Sequence, residues 1–185
     1  MRTAVSLLSI FALLSFTTAR AETDDAQGQT WPSPDGKIVI AQPVFRGPIL
    51  FVDAATQETL FTDAAGAKTL AVAWSADSSW VAFSEYFNPH RGGSAFEVYH
   101  VVGKVPKRIA MPEGPLSDGE DWSFAPQRWL PGEKLVLEGE RERWINETKD
   151  GHHDYRWDLY RFTIQCRRDA TAKVLEKRYL SSRDE

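Results

Sequence analysis

The feature that most restricts this chain is a pattern that occurs three times. Ser33-Pro34-Asp35-Gly36-Lys37-Ile38-Val39-Ile40 comes shortly after Trp31, and Ser75-Ala76-Asp77-Ser78-Ser79-Trp80-Val81-Ala82-Phe83 follows Trp74. Leu130-Pro131-Gly132-Glu133-Lys134-Leu135-Val136-Leu137 follows Trp129. Each copy is a tryptophan, a turn-forming cluster and then an apolar, β-prone run. The turn has a physical cause: an aspartate accepts hydrogen bonds from the backbone amides after it, and glycine or serine tolerates the bend. The units begin at Ser33, Ser75 and Leu130, a spacing of 42 and then 55 residues. Such a period marks repeat architectures, in which one supersecondary unit stacks on the next. The longer second interval contains an insertion, Met111–Trp122.

The strands beyond each turn repeat as well. The first unit reads as strands Lys37–Phe45, Ile49–Ala54 and Glu58–Thr62. The second reads as Trp80–Phe87, Ala95–Val102 and Pro106–Ala110, with a turn at Gly103-Lys104. The third reads as Lys134–Ile145, Asp154–Ile164 and Lys173–Leu180. With the strand before each turn, this makes four per unit. No segment carries a 3.6-residue apolar stripe. The expected fold is all-β, with three four-stranded antiparallel units like propeller blades. Closed propellers typically have 4–8 blades. Three blades imply an open or partial propeller, a ring completed by a second chain, or closure as a small barrel or sandwich. Unpaired sheet edges invite association, so a homodimer or a terminus wrapped over the edge is expected.

Trp-x-Ser-Pro-Asp-Gly-Lys-Ile-Val-Ile and Trp-Ser-Ala-Asp-Ser-Ser-Trp-Val-Ala-Phe resemble the repeats of the Tol translocation protein and of prolyl-oligopeptidase-type β-propellers. Phe96–Lys104 is similar to the third strand and turn of those blades. The resemblance covers most of residues 31–180 and is weakest where Leu130-Pro131-Gly132 replaces Ser-Pro-Asp-Gly. It implies a blade fold. The motif is structural in those proteins, so it implies no catalytic residue here.

Residues 1–21 have the three parts of a secretory signal peptide: Arg2, the apolar run Ala4–Phe16, and small residues Ala19 and Ala21 before a cut between Ala21 and Glu22. The alternative is a membrane anchor, but the run of about 13 residues is short of the roughly 20 needed to span a bilayer. The chain then divides into a signal peptide at 1–21, a polar leader at 22–30, one domain at 31–180 with units near 31–68, 69–122 and 123–180, and a polar tail at 181–185. The expected address is periplasmic or secreted, with no membrane span. With 22 Lys and Arg against 26 Asp and Glu, the net charge of −4 argues against nucleic-acid binding by phosphate neutralisation. Cys166 is the sole cysteine, which leaves no internal disulfide; it reads as a buried small hydrophobe or an intermolecular partner.

In antiparallel blades, loops alternate between the two ends of the sheet. The connections from second to third strand and from blade to blade share one end, where His90, Arg91, His152 and His153 are expected to converge. Loops on a rigid scaffold are where function is usually placed. His100 falls mid-strand and reads as a packed sheet residue. His152-His153-Asp154 invites a metal reading or that of a polar hairpin tip; adjacent strand residues point to opposite faces, and no spaced histidine pair supports a ligand set. Asp118-Gly119-Glu120-Asp121 reads as a Ca²⁺ loop or a solvated one. Glu138-Gly139-Glu140-Arg141-Glu142-Arg143 places charge on both faces of its strand, so neither face is expected to enter an apolar core. It reads as one arm of a long hairpin projecting beyond the sheet, with charges paired across strands. Trp144, Tyr155 and Trp157 near its tip form either an interaction surface or aromatic packing. No catalytic motif is present, and no cofactor is implied. The expected function is an exported binding or interaction protein for a protein or small ligand. The alternative is a secreted hydrolase using the region of His90, His152 and His153.

Overall fold

The computed structural model describes residues 28–44, 47–63, 68–86, 94–112, 116, 122–147 and 153–184. Its elements are strands throughout: β1 Gln29–Pro32, β2 Ile38–Gln42, β3 Ile49–Asp53, β4 Thr59–Asp63, β5 Lys68–Trp74, β6 Trp80–Tyr86, β7 Ser94–Val102, β8 Val105–Arg108, β9 Trp122–Leu130, β10 Lys134–Glu147, β11 His153–Cys166 and β12 Ala172–Asp184. They form three four-stranded sheets in the orders β1-β2-β3-β4, β5-β6-β7-β8 and β9-β10-β11-β12. All pairings within the sheets are antiparallel. The sheets stack in series as propeller-like blades rather than closing into a barrel. No helix of the described residues is long and apolar enough to cross a membrane.

The repeated turn is built the same way in blades 1 and 2. The Ser33 hydroxyl donates to Asp35 Oδ1 at 2.8 Å and accepts from the Ile38 amide at 3.1 Å. The Ser75 hydroxyl does the same with Asp77 at 2.6 Å and the Trp80 amide at 2.9 Å. Both aspartates also accept from an amide two residues on, that of Lys37 at 3.2 Å or of Ser79 at 3.1 Å. These bonds hold both carboxyls below the usual carboxylate range: Asp35 chiefly through Lys37 and Ser33, Asp77 through the Ser75 and Ser79 hydroxyls.

Blade 3 lacks the serine and the aspartate, and its turn is one residue shorter. Pro32 pairs Val39 and Trp74 pairs Val81, but Trp129 pairs Leu135, one residue sooner. Gly132 (φ 77°) and Glu133 (φ 61°) absorb the tighter bend in the left-handed region. The motif sets Leu135 beside Ile38; the register sets Lys134 there instead. Strand faces alternate with period two, so a one-residue slip moves every side chain to the other face. Here the slip turns Leu135 and Leu137 back toward blade 2.

Blade 2 is therefore enclosed on both sides. Val81, Phe83, Tyr99 and Val101 pack against Ile38, Ile40, Ile49 and Phe51 of blade 1. On its other face, Trp80, Ala82, Phe96 and Val98 meet Trp122, Phe124, Leu135, Leu137, Phe162 and Ile164 of blade 3. One hydrogen bond recurs at each junction: Trp74 Nε1 donates to the Trp31 carbonyl at 3.3 Å, and Trp129 Nε1 to the Ala73 carbonyl at 2.9 Å. Cys166 is buried in the second core with its thiol free, and burial pushes its pKa up to about 12. His100 is buried and stacks on Trp80 at 4.2 Å between ring centroids, and that burial, aided by Arg168, lowers its pKa. Both residues thus serve as packed sheet positions. The polar stretch after Leu180 continues β12, with Ser181 opposite Leu159 and Arg183 opposite Trp157.

Candidate functional site

β10 and β11 have 14 residues each and outrun their neighbour on one side. β9 accompanies β10 only from Lys134 to Arg141, whereas β10 continues to Glu147. β12 follows β11 out to Arg156. The projecting hairpin expected from the charge pattern is thus present. It holds four of the candidate residues. His153 stands opposite Glu147, Trp144 opposite Tyr155, and Trp157 opposite Glu142, with a bulge between Trp144 and Asn146. Tyr155 and Trp157 are half-buried. His90, Arg91 and His152, and with them the expected convergence of histidines, lie outside the described residues, as does Asp118–Asp121.

The two faces of this hairpin differ. On one, charges pair as expected: Arg161 binds Glu138 at 2.6 Å directly across the strands, and Arg183 binds Glu140 at 3.0 Å. The Arg183 guanidinium lies 5.8 Å from the Trp157 ring centre. The other face departs from expectation, because part of it belongs to the core. Gly139 is buried between Phe124 and Phe162. Having no side chain, it lets the aromatic core run out along Trp122, Phe162 and Tyr160.

Beyond that point the face turns cationic. Asp158 is fully buried and takes ion pairs from Arg143 and, at 3.2 Å, from Arg156. Arg143 and Arg156 stand directly opposite each other in the register. Like charges so placed repel, and the shared carboxylate offsets this. Arg156 also donates to the Ser182 hydroxyl at 2.8 Å. Arg141 lies over Trp122 at 5.8 Å, and the Lys177 ammonium sits 5.0 Å from Trp122, 4.6 Å from Tyr160 and 5.6 Å from Phe162. Neither the burial of Asp158 nor the ring platform is legible in the sequence. Asp158 reads as one more charge in an alternating strand, and Lys177 is brought to the rings only by β12 pairing.

A second polar cluster joins blades 1 and 2. The Tyr99 hydroxyl donates to the Asp63 carboxylate, and Arg108 pairs with Glu97. Glu97 is largely desolvated, and burial, with Asp63 nearby, raises its pKa to about 7 against the pull of Arg108. A cleft of about 460 Å³ opens beside it, lined by Phe96, Arg108, Ile109, Met111 and Leu116. An acid raised in the folded state keeps a proton that the unfolded chain has released. Its contribution is full below the unfolded value near 4.5 and is lost as pH rises through about 7. His100, whose pKa is lowered, acts oppositely: it adds stability above its unfolded value and loses it as pH falls. Glu97→Gln isolates the first effect. The stability of the parent relative to this variant should fall by about 2 kcal/mol between pH 4.5 and 8, measured by urea unfolding at each pH. A constant difference would show that Glu97 holds its proton no more tightly in the folded chain than in the unfolded one.

At the opposite end of the sheets, successive turns leave a cavity of about 500 Å³ between blades 2 and 3, walled by Trp80, Trp129 and Pro131 and edged by Asp77, Glu133 and Arg168. Arg168 pairs there with Glu133 at 2.8 Å. Among the described residues, no group of three His, Cys, Asp or Glu side chains is placed to hold a metal ion.

No family model and no curated protein matches the chain. Solved structures similar to it include a hydrazine synthase from Kuenenia stuttgartiensis, at 16% identity and a TM-score of 0.36, over 89% of this chain and 52% of that one. TolB from Acinetobacter baumannii matches at 12% and 0.40, over 84% and 44%. The dihydro-heme d1 dehydrogenase NirN in complex with DHE matches at 16% and 0.28, over 84% and 47%. The chain spans about half the length of each.

Proposed function

We propose that this chain is an exported protein-binding module that contacts its partner through the β10–β11 hairpin. The export part rests on the charged, apolar and small-residue segments of residues 1–21. The hairpin itself carries the binding part: it runs past β9 and presents Tyr155 and Trp157 two residues apart within a rim of arginines and glutamates. Trp, Tyr and Arg dominate the energetics of protein interfaces, because they join large apolar area to a polar tip. Blades 1 and 2 act as the rigid base.

The test is capture from periplasmic extract by residues 22–185, compared with the variant Tyr155→Ala/Trp157→Ala. Loss of two interface aromatics should cost about 2 kcal/mol or more of binding. Recovery of the captured protein should fall at least tenfold while the far-UV circular dichroism and melting of the variant stay those of a folded sheet protein. Equal recovery by both proteins would remove the hairpin as the contact surface.

A further inference from the structure

The chemistry of the partner rests on the hairpin as a contact surface and on the contrast between its two faces. On the Glu138 and Glu140 face, two cations are matched by carboxylates: Arg161 holds Glu138 and Arg183 holds Glu140. The opposite face gathers Arg141, Arg143, Arg156 and Lys177 around Asp158. The Asp158 carboxylate is buried and engaged by Arg143 and Arg156. Arg141 and Lys177 lie over Trp122, Tyr160 and Phe162 instead of over carboxylates. A ring face holds a cation in place while leaving the N–H groups at its edge able to donate. Arg141 Nε is moreover a buried donor with no hydrogen-bond partner. A ligand arriving from solvent meets the outer N–H groups of this guanidinium, since Nε itself is closed off.

We propose that this face binds an acidic peptide segment of a partner protein, with Arg141 and Lys177 donating to its carboxylates and Trp122, Tyr160 and Phe162 forming the platform beneath. The cationic patch is local, on a chain whose net charge is −4. A long polyanion, such as nucleic acid or an anionic membrane, also meets the repulsive remainder of the surface, whereas a short acidic segment meets the patch alone.

Fluorescein-labelled octaglutamate is the probe, read by anisotropy at low salt against the folded protein. Octaglutamine of the same length and a thymidine octanucleotide are the comparisons. Two double variants remove equal charge from opposite faces: Arg141→Gln/Lys177→Gln from the patch, and Arg161→Gln/Arg178→Gln from the Glu138 and Glu140 face, where Arg178 of β12 stands directly opposite Arg161. Octaglutamate should bind the parent, weaken at least tenfold in the first variant and change less than twofold in the second. Equal weakening in both, absence of octaglutamate binding, or binding of octaglutamine or the oligonucleotide as tight as that of octaglutamate would each overturn the proposal. If octaglutamate fails while Tyr155→Ala/Trp157→Ala still abolishes capture, the acidic-peptide inference falls and the hairpin reading stands. If octaglutamate behaves as expected while capture is unchanged, the aromatic contact falls and the acidic-peptide site stands.

Discussion

Trp80→Ala should destabilise the protein by about 3–5 kcal/mol, the usual cost of truncating a buried Trp or Phe. Trp80 is only 2% exposed and closes the junction of blades 2 and 3. His100 stacks on one side of its indole, and Trp129 leans on it at 5.7 Å. Truncation removes those contacts and leaves a hole that sheets on both sides cannot close without shifting. Native domains are stable by only about 5–15 kcal/mol, so the loss is a large share of the total. Urea unfolding followed by far-UV circular dichroism measures it, since tryptophan fluorescence itself changes. Trp80→Phe keeps an aromatic ring in the hole and should lose clearly less. A loss below about 1 kcal/mol for the alanine variant would mean that this residue does not join the two blades.

Gly139→Val should cost about 3 kcal/mol, at the upper end for overpacking a filled core. A Cβ at this position meets Phe124 Cε1 at 2.8 Å and Phe162 Cε2 at 2.9 Å. Neither ring can easily yield. Both are 2% exposed, Phe124 stacks on Trp122 at 5.6 Å, and Phe162 abuts Trp122 and Tyr160. The same rings carry the platform under Arg141 and Lys177, so octaglutamate binding should fall along with the melting temperature. Gly139→Ala should lie between parent and valine variant. An unchanged melting temperature in Gly139→Val would show that β10 is not held against Phe124 and Phe162.

The turns show how far sequence reaches. In Ser33-Pro34-Asp35-Gly36 and Ser75-Ala76-Asp77-Ser78, the bonding groups and the amides they bind lie within five residues. Local chemistry of that kind is legible without a fold. The two-residue turn Gly103-Lys104 is equally local: both residues have positive φ, the geometry that joins two twisted strands. The third turn resisted, because a missing residue changes which face of β10 is buried, and only pairing with β9 reveals the slip. The candidate site was legible in the same partial way. Alternating charges in Glu138–Arg143 announced the hairpin and pairing of charges across its strands, of which Glu138–Arg161 is one instance. They did not announce that Gly139 belongs to the core, because a glycine among glutamates carries no apolar signal of its own.

By itself, the sequence determined the threefold period, four strands to a unit, the turns closed by Ser and Asp, and the place of His100 as a packed strand residue. Each of these arises from contacts between near neighbours or from the side-chain alternation of one strand. The tertiary structure decided what depends on distant partners. It stacked blade 2 between two cores, buried Asp158 between Arg143 and Arg156, and raised Glu97 between blades 1 and 2. It also drew Lys177 of β12 over Trp122 of β9, 55 positions away in the chain. Desolvation and cation–ring attraction are set by what surrounds a group in space, and a residue's neighbours along the chain do not specify those surroundings.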